Sequence, residues 1–153
     1  MKQFKLYIQE KLILNKTIKY YTCHPKDKFE LGNIIKERLK KDKDADLNDI
    51  DVSQIKNMSH LFQWLDPHNI KIDEWDMSNC EYIQMMFSHC KNFNCDLSKW
   101  NVSKVIDMSS LFFGCNEFKG KGLEKWNVSE NTDKSYMFDG CNSLKNIPSW
   151  YKK

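Results

Sequence analysis

Three cysteines, Cys90, Cys115 and Cys141, recur 25 and 26 residues apart. Thiolates are nucleophiles and ligands for soft metals, so a repeated thiol is the first place to look for chemistry. Thiols in register form a line, however, whereas tetrahedral zinc needs four ligands converging on one point. Cys90 with Cys95 and His89 has no matching second pair, and Cys23 and Cys80 read as packing or surface thiols. His24, His60, His68 and His89 fall in no arrangement that sets a base beside an activated serine or cysteine. With five glycines and neither GxGxxG nor GxxxxGK, the chain offers no phosphate cradle. The expectation is a protein that is not an enzyme, with no catalytic residue, no metal and no cofactor.

What sets the cysteine interval is a repeat. The segment LSKWNVSKVIDMSSLF, from Leu97 to Phe112, has four versions, beaten out by Trp75, Trp100, Trp126 and Trp150 and by Phe62, Phe87, Phe112 and Phe138. Repeats of 20–50 residues signal stacked coils, each too small to bury its own apolar side. The apolar columns must then face inward: Leu47, Ile72, Leu97, Leu123 and Ile147; Val52, Met77, Val102 and Val128; Ile55, Cys80 and Val105 with Asn131; Met58, Ile83 and Met108 with Lys134. The serine after each valine or methionine, at Ser53, Ser78, Ser103 and Ser129, is expected to bond a backbone group at a corner through its hydroxyl. The short VSxVxxM stretch reads as a strand and the LF stretch as a turn or short helix.

WNVSKVIDMSSLFFGC, WDMSNCEYIQMMFSHC and WNVSENTDKSYMFDGC resemble the W-[DN]-V-S-N-V-T-x-M-x-x-M-F-x-x-C repeat of the BspA-type, mycoplasma-lipoprotein-type leucine-rich-like family. The resemblance covers the chain from Leu47 to its end. It implies an α/β fold: a right-handed leucine-rich-repeat-like solenoid of about four coils, with a short parallel sheet. It also implies protein binding, often at cell surfaces. The first repeat departs with Ile50 in place of tryptophan and the fourth with Asn131 and Lys134, as terminal coils do.

Three segments are expected: an N-terminal α/β cap at 1–46, four repeats at 47–146 and a closing segment at 147–153. Alternation of Phe4, Leu6 and Ile8, then Leu12 to Tyr20, predicts a hairpin over residues 1–22. Pro25 and Asp27 open a helix with Phe29, Ile34, Ile35 and Leu39 on one face. This unit would cover the open edge of the first coil, and Pro148, which cannot donate a hydrogen bond, suits the last. Residues 1–46 carry a charge of +5 and residues 47–153 of −2. The basic part is interleaved with acids and holds the only arginine, Arg38, which argues against base-specific nucleic-acid readout. No apolar run approaches the 18 residues of a membrane span, and the start lacks a signal-peptide pattern. A cytoplasmic monomer, away from membranes, is expected.

Two positions per repeat vary while their flanks do not: Lys56 and Asn57, Glu81 and Tyr82, Ile106 and Asp107, Thr132 and Asp133. They are expected on the exposed strand face. Tyr82 beside Ile106, ringed by Glu81, Asp107 and Asp133, has the pattern of an apolar anchor in a polar rim; drift on a solvated surface gives the same variation. The expected function is therefore a protein-binding module with a protein partner. Two alternatives stand beside it: a phage- or prophage-encoded, anti-CRISPR-like inhibitor that blocks a host defence nuclease, and a fragment of a bacterial surface adhesin.

Overall fold

The computed structural model describes residues 21–151. The hairpin expected over residues 1–22 lies, but for its last two residues, outside them. The first element is helix α1 (Lys28–Lys41). Asp27 caps it, its carboxylate accepting from the N–H groups of Phe29 (2.8 Å) and Glu30 (2.9 Å), while Glu30 accepts from the N–H of Lys26. Such a cap satisfies donors that have no partner within the helix. Arg38, Lys40 and Lys41 occupy the last turn, where cations favour the helix dipole. Leu31, Ile35 and Leu39, four residues apart, form the buried stripe. Phe29, expected on that face, lies on the opposite side of the helix, two residues before Leu31, and is 77% exposed.

The helix lies against the first coil. Lys28 Nζ donates to Ser59 Oγ at 3.0 Å, and Arg38 Nη2 donates to Asp49 Oδ2 at 2.9 Å, with Nη1 on the second carboxylate oxygen. Cys23 forms a parallel bridge with Ile50. The N–H of Thr22 donates to Asp49 O and that of Asp51 to Cys23 O, both at 2.9 Å. Helix α1 and residues 22–24 thereby cover the N-terminal end of the stack.

From Ala45 onward the chain winds in coils whose equivalent rings stack. Trp75, Trp100 and Trp126 repeat at 6.4 Å with planes within 4° of parallel. Phe62, Phe87, Phe112 and Phe138 form a second column at 5.1–6.0 Å, interleaved with Phe93 and Phe118. Each indole N–H of Trp75, Trp100, Trp126 and Trp150 donates to a carbonyl of the coil before, on Leu47, Ile72, Leu97 and Leu123. The tryptophan column therefore fills the core and ties the coils together. The buried residues form one continuous core running from α1 to Cys141.

The α/β solenoid with a parallel sheet is not what forms: the described residues contain no strand and no sheet. Coils meet instead through single-residue parallel bridges, Asp46 to Lys71 and a row of Asn57, Tyr82, Asp107 and Asp133. The reason lies in how the backbone donors are shared. In the first coil Met58, His60, Phe62 and Trp64 donate to Tyr82, Gln84, Met86 and Ser88 of the next. Leu61, Gln63 and Leu65, each one residue after a crossing donor, donate backward to Met58, His60 and Phe62 and close tight turns. The VSxVxxM stretch is turned in the same way, Ile55 N–H to Val52 O at 2.9 Å. A strand needs consecutive extended residues with both backbone groups paired sideways; a coil that turns every few residues cannot supply them.

The third residue of two turns per coil takes a positive φ, as type II turns require. These form two columns: His60, Met85, Ser110 and Tyr136; Trp64, His89, Gly114 and Gly140. Three of the four repeated serines also work differently from expectation, while the Ser129 hydroxyl does bond the backbone, accepting the N–H of Asn131 at 3.3 Å. Ser53, Ser78 and Ser103 each give a backbone N–H to the side chain of Asp51, Asp76 or Asn101, two residues earlier, an Asx turn built by the D/N-x-S pattern.

Candidate protein-binding surface

The bridging row contains four of the eight variable residues. Asn57, Asp107 and Asp133 each accept, through one side-chain oxygen, the N–H and the hydroxyl of the serine two residues on: Ser59, Ser109 and Ser135. The hydroxyl of Ser135 beside it holds the Asp133 carboxyl below the usual carboxylate range. Variation at these positions is thus constrained to turn-forming residues, so they are architectural as well as accessible. Tyr82 is the exception, with Gln84 standing where the other coils have serine.

The remaining four residues separate. Lys56 and Glu81 pair across coils at 3.0 Å. Ile106 is 51% exposed. Thr132, expected on the surface, is buried, and its hydroxyl donates to Val105 O at 2.8 Å. The fourth coil is shifted by one residue here: Thr132 N–H closes the turn to Ser129 O and takes the inward place assigned to Asn131, which is exposed. A β-branched residue fills the column of Ile55 and Val105 better than an amide, so burial sets the register.

Sequence reasoning missed the left-handed columns. Trp64 is 65% exposed, Tyr136 65% and Met85 36%. The indole of Trp64 lies on the imidazole of His89, centroids 3.8 Å apart and planes 9° from parallel, and Phe113 meets that imidazole edge-on. With Ile106, these side chains come from equivalent arcs of successive coils, the arc that starts at Lys56 and ends at Trp64 in the first. A signal was present: Gly114 and Gly140 align with Trp64 and His89, and glycine recurring in a column marks backbone that favours positive φ. Large side chains in such a column point away from the turn.

Residues 32–150 match the family described as Mycoplasma protein of unknown function, DUF285. The chain belongs to this family. The match begins inside α1 and ends at Trp150, so it takes in most of the covering helix as well as every coil. No curated protein and no solved structure shows significant similarity.

The recurring cysteines of this DUF285 chain serve its backbone. Cys90, Cys115 and Cys141 each donate to the carbonyl of a phenylalanine in the preceding coil, Phe62, Phe87 and Phe112, at 3.0 Å. Burial pushes the thiols of Cys90 and Cys141 up to about 12 and that of Cys80 up to about 11, which disfavours the thiolate. Among the described residues no group of three or more His, Cys, Asp or Glu side chains is placed to hold a metal, and no helix is long and apolar enough to cross a membrane. Several lysines are tied to acids one coil away: Lys71 to Asp46, Lys99 to Asp73 and Lys121 to Asp96. Such exposed pairs contribute little each.

Proposed function

We propose that the protein is a non-enzymatic protein-binding module that acts through the outward arc of its coils. One observation supports this above others: Trp64, Met85, Ile106 and Tyr136, four exposed large apolar side chains, come one from each coil and all from this arc. Three of them hold a left-handed backbone that costs a side-chain-bearing residue about 1–2 kcal/mol. Backbone geometry does not favour them there, and although Trp64 stacks on His89 each leaves much of its apolar surface exposed; recognition favours that, since exposed aromatics are the usual anchors of interfaces. Lys56, Glu81, Asp107 and Asp133 supply the polar rim, whose acidic members steer a basic partner. Within the family, the repeat is of the BspA-type, leucine-rich-like kind. The protein works as a monomer in this reading.

The test is affinity capture from the native host, read by mass spectrometry, with wild type beside the Trp64→Ala/Ile106→Ala double variant. Truncating two anchors at about 2 kcal/mol each removes a partner from the eluate, while the melting temperature stays near that of wild type. Equal recovery by both proteins refutes this surface.

A further inference from the structure

Three of the exposed apolar residues on the outward arc follow a line. The bridging row sets the register, with Asn57 beside Tyr82, Tyr82 beside Asp107 and Asp107 beside Asp133. Against that row, Trp64 stands seven residues after Asn57, Met85 three after Tyr82 and Ile106 one before Asp107. Each anchor comes four residues earlier in its coil than the last, so the three cross successive coils obliquely. Gln63 Nε2, beside Trp64, reaches Met85 Sδ at 3.9 Å. Both ends of the line open into recesses. Leu65, the residue after Trp64, lines a cleft of about 670 Å³ against α1, where Lys36, Lys40, Lys41 and Lys43 meet two acids, Glu37 and Asp42, among the described residues. Glu37 pairs with Lys40 at 2.6 Å, and the charge of Lys41 also acts on it; an excess of two positive charges remains in the cleft. Beyond Ile106 the same step leads to Val128, beside Ser129 of a recess of about 370 Å³ that Ile106 also lines.

We propose that this oblique line docks one linear segment of the partner, apolar in its middle and acidic at the end that enters the lysine cleft. The inference rests on the outward arc as the binding surface and names what lies on it. Anchors at a constant step between two recesses match the periodic side chains of a helix or an extended segment. A folded surface has no such period and needs no recess at either end. Beside the line the third coil carries Ser110, which is buried, and Gly114, which has no side chain, so nothing large blocks the path there. The lysines of the cleft select carboxylates on the segment, whereas Glu81 and Asp107 flank Ile106 at the other end, and the two fields together fix one direction of docking. The chain's own residues 1–20 hold five lysines and one glutamate, the wrong charge for the cleft. Tyr136 lies off the line and meets the rest of the partner.

The experiment selects a display library of random linear peptides on the immobilised full chain. Peptides of about 15 residues reach ~50 Å when extended. Enrichment of sequences with apolar residues in the middle and Asp or Glu at one end is expected. The enriched peptide, synthesised with a fluorescent label, is then titrated by anisotropy. Met85→Ala weakens it about tenfold, and Lys36→Glu/Lys41→Glu about tenfold or more. The same charge change away from the line, Lys119→Glu/Lys125→Glu, leaves binding unchanged. All six positions are on the surface, Met85 the least exposed at 36%, and unchanged melting temperatures confirm that the variants fold. No enrichment, enrichment without acidic residues, or equal loss with both lysine pairs overturns the proposal. If peptides fail while partner capture still depends on Trp64 and Ile106, the arc stands and takes a folded surface; if both fail, the arc falls too. A concentration-dependent dimer in sedimentation that Met85→Ala abolishes also overturns it, since a second copy is then the occupant.

Discussion

Replacing Tyr136 with glycine separates what the outward residues do for folding from what they do for recognition. Tyr136 is 65% exposed, so roughly a third of the ~200 Å² that such a ring can bury is in contact with the protein. Losing that contact costs about 2 kcal/mol at most, taking ~25 cal/mol per Å². Tyr136 also sits at φ 57°, and relieving that geometry returns about 1–2 kcal/mol. The greater unfolded-state freedom of glycine takes back about 0.5–1 kcal/mol. The sum is a destabilisation of about 1 kcal/mol. Urea unfolding followed by tryptophan fluorescence measures it, with the slope required to match wild type so that the midpoints can be compared. Partner capture, run on the same preparation, is expected to drop. A loss of about 3 kcal/mol or more, the range of a core aromatic, would mean that Tyr136 is structural, and the argument from unexplained exposed side chains would fail with it.

Trp100→Ala is expected to cost about 3–5 kcal/mol, because the ring is 3% exposed and its N–H serves Ile72 O; calorimetry of the variant checks it. Gly122→Ala should cost about 2–4 kcal/mol, combining left-handed strain with overpacking. Gly122 has φ 90°, and an added Cβ would stand 2.4 Å from the backbone nitrogen of Ser98; chemical denaturation showing no loss would refute that close approach. The hydrogen bonds from Arg38 hold the Asp49 carboxyl at about 2 against an ordinary 3.8. Since the folded value is the lower one, this stabilisation is complete above pH 4 and is lost as pH falls toward 2. Asp49→Asn should therefore flatten the acid limb of the stability curve over that window, by about 1 kcal/mol after solvent screening.

Much of the inward architecture was legible because a stacked coil buries its apolar columns, although Ile147, assigned to the first of them, is 57% exposed. Trp75, Trp100 and Trp126, Phe62, Phe87 and Phe112, and Cys90, Cys115 and Cys141 are all buried, and the period alone assigns them. The helix was legible from Asp27 and the apolar spacing, although Phe29 was placed on the wrong side. The outward set was less legible. Tyr82 and Ile106 could be picked out as variable, but Thr132 was misplaced because a one-residue shift in the fourth coil is invisible to a column alignment. Trp64, Met85 and Tyr136 were passed over because aromatic and apolar residues in a repeat read as core until the backbone geometry is known.

The sequence by itself determined the period, the stacking of like on like and the identity of the core, since burial of apolar surface is a property of composition and spacing. Only the tertiary structure decided how the backbone is satisfied. Some donors in each arc close turns and others cross to the next coil, so no strand forms among the described residues, two columns are left-handed with Trp64, Met85 and Tyr136 exposed on them, and the last coil ends in Lys134, Tyr136, Phe138 and Gly140 with their donors unmatched among the described residues. Every residue but proline carries the same N–H and C=O, so the letters do not record where those groups point.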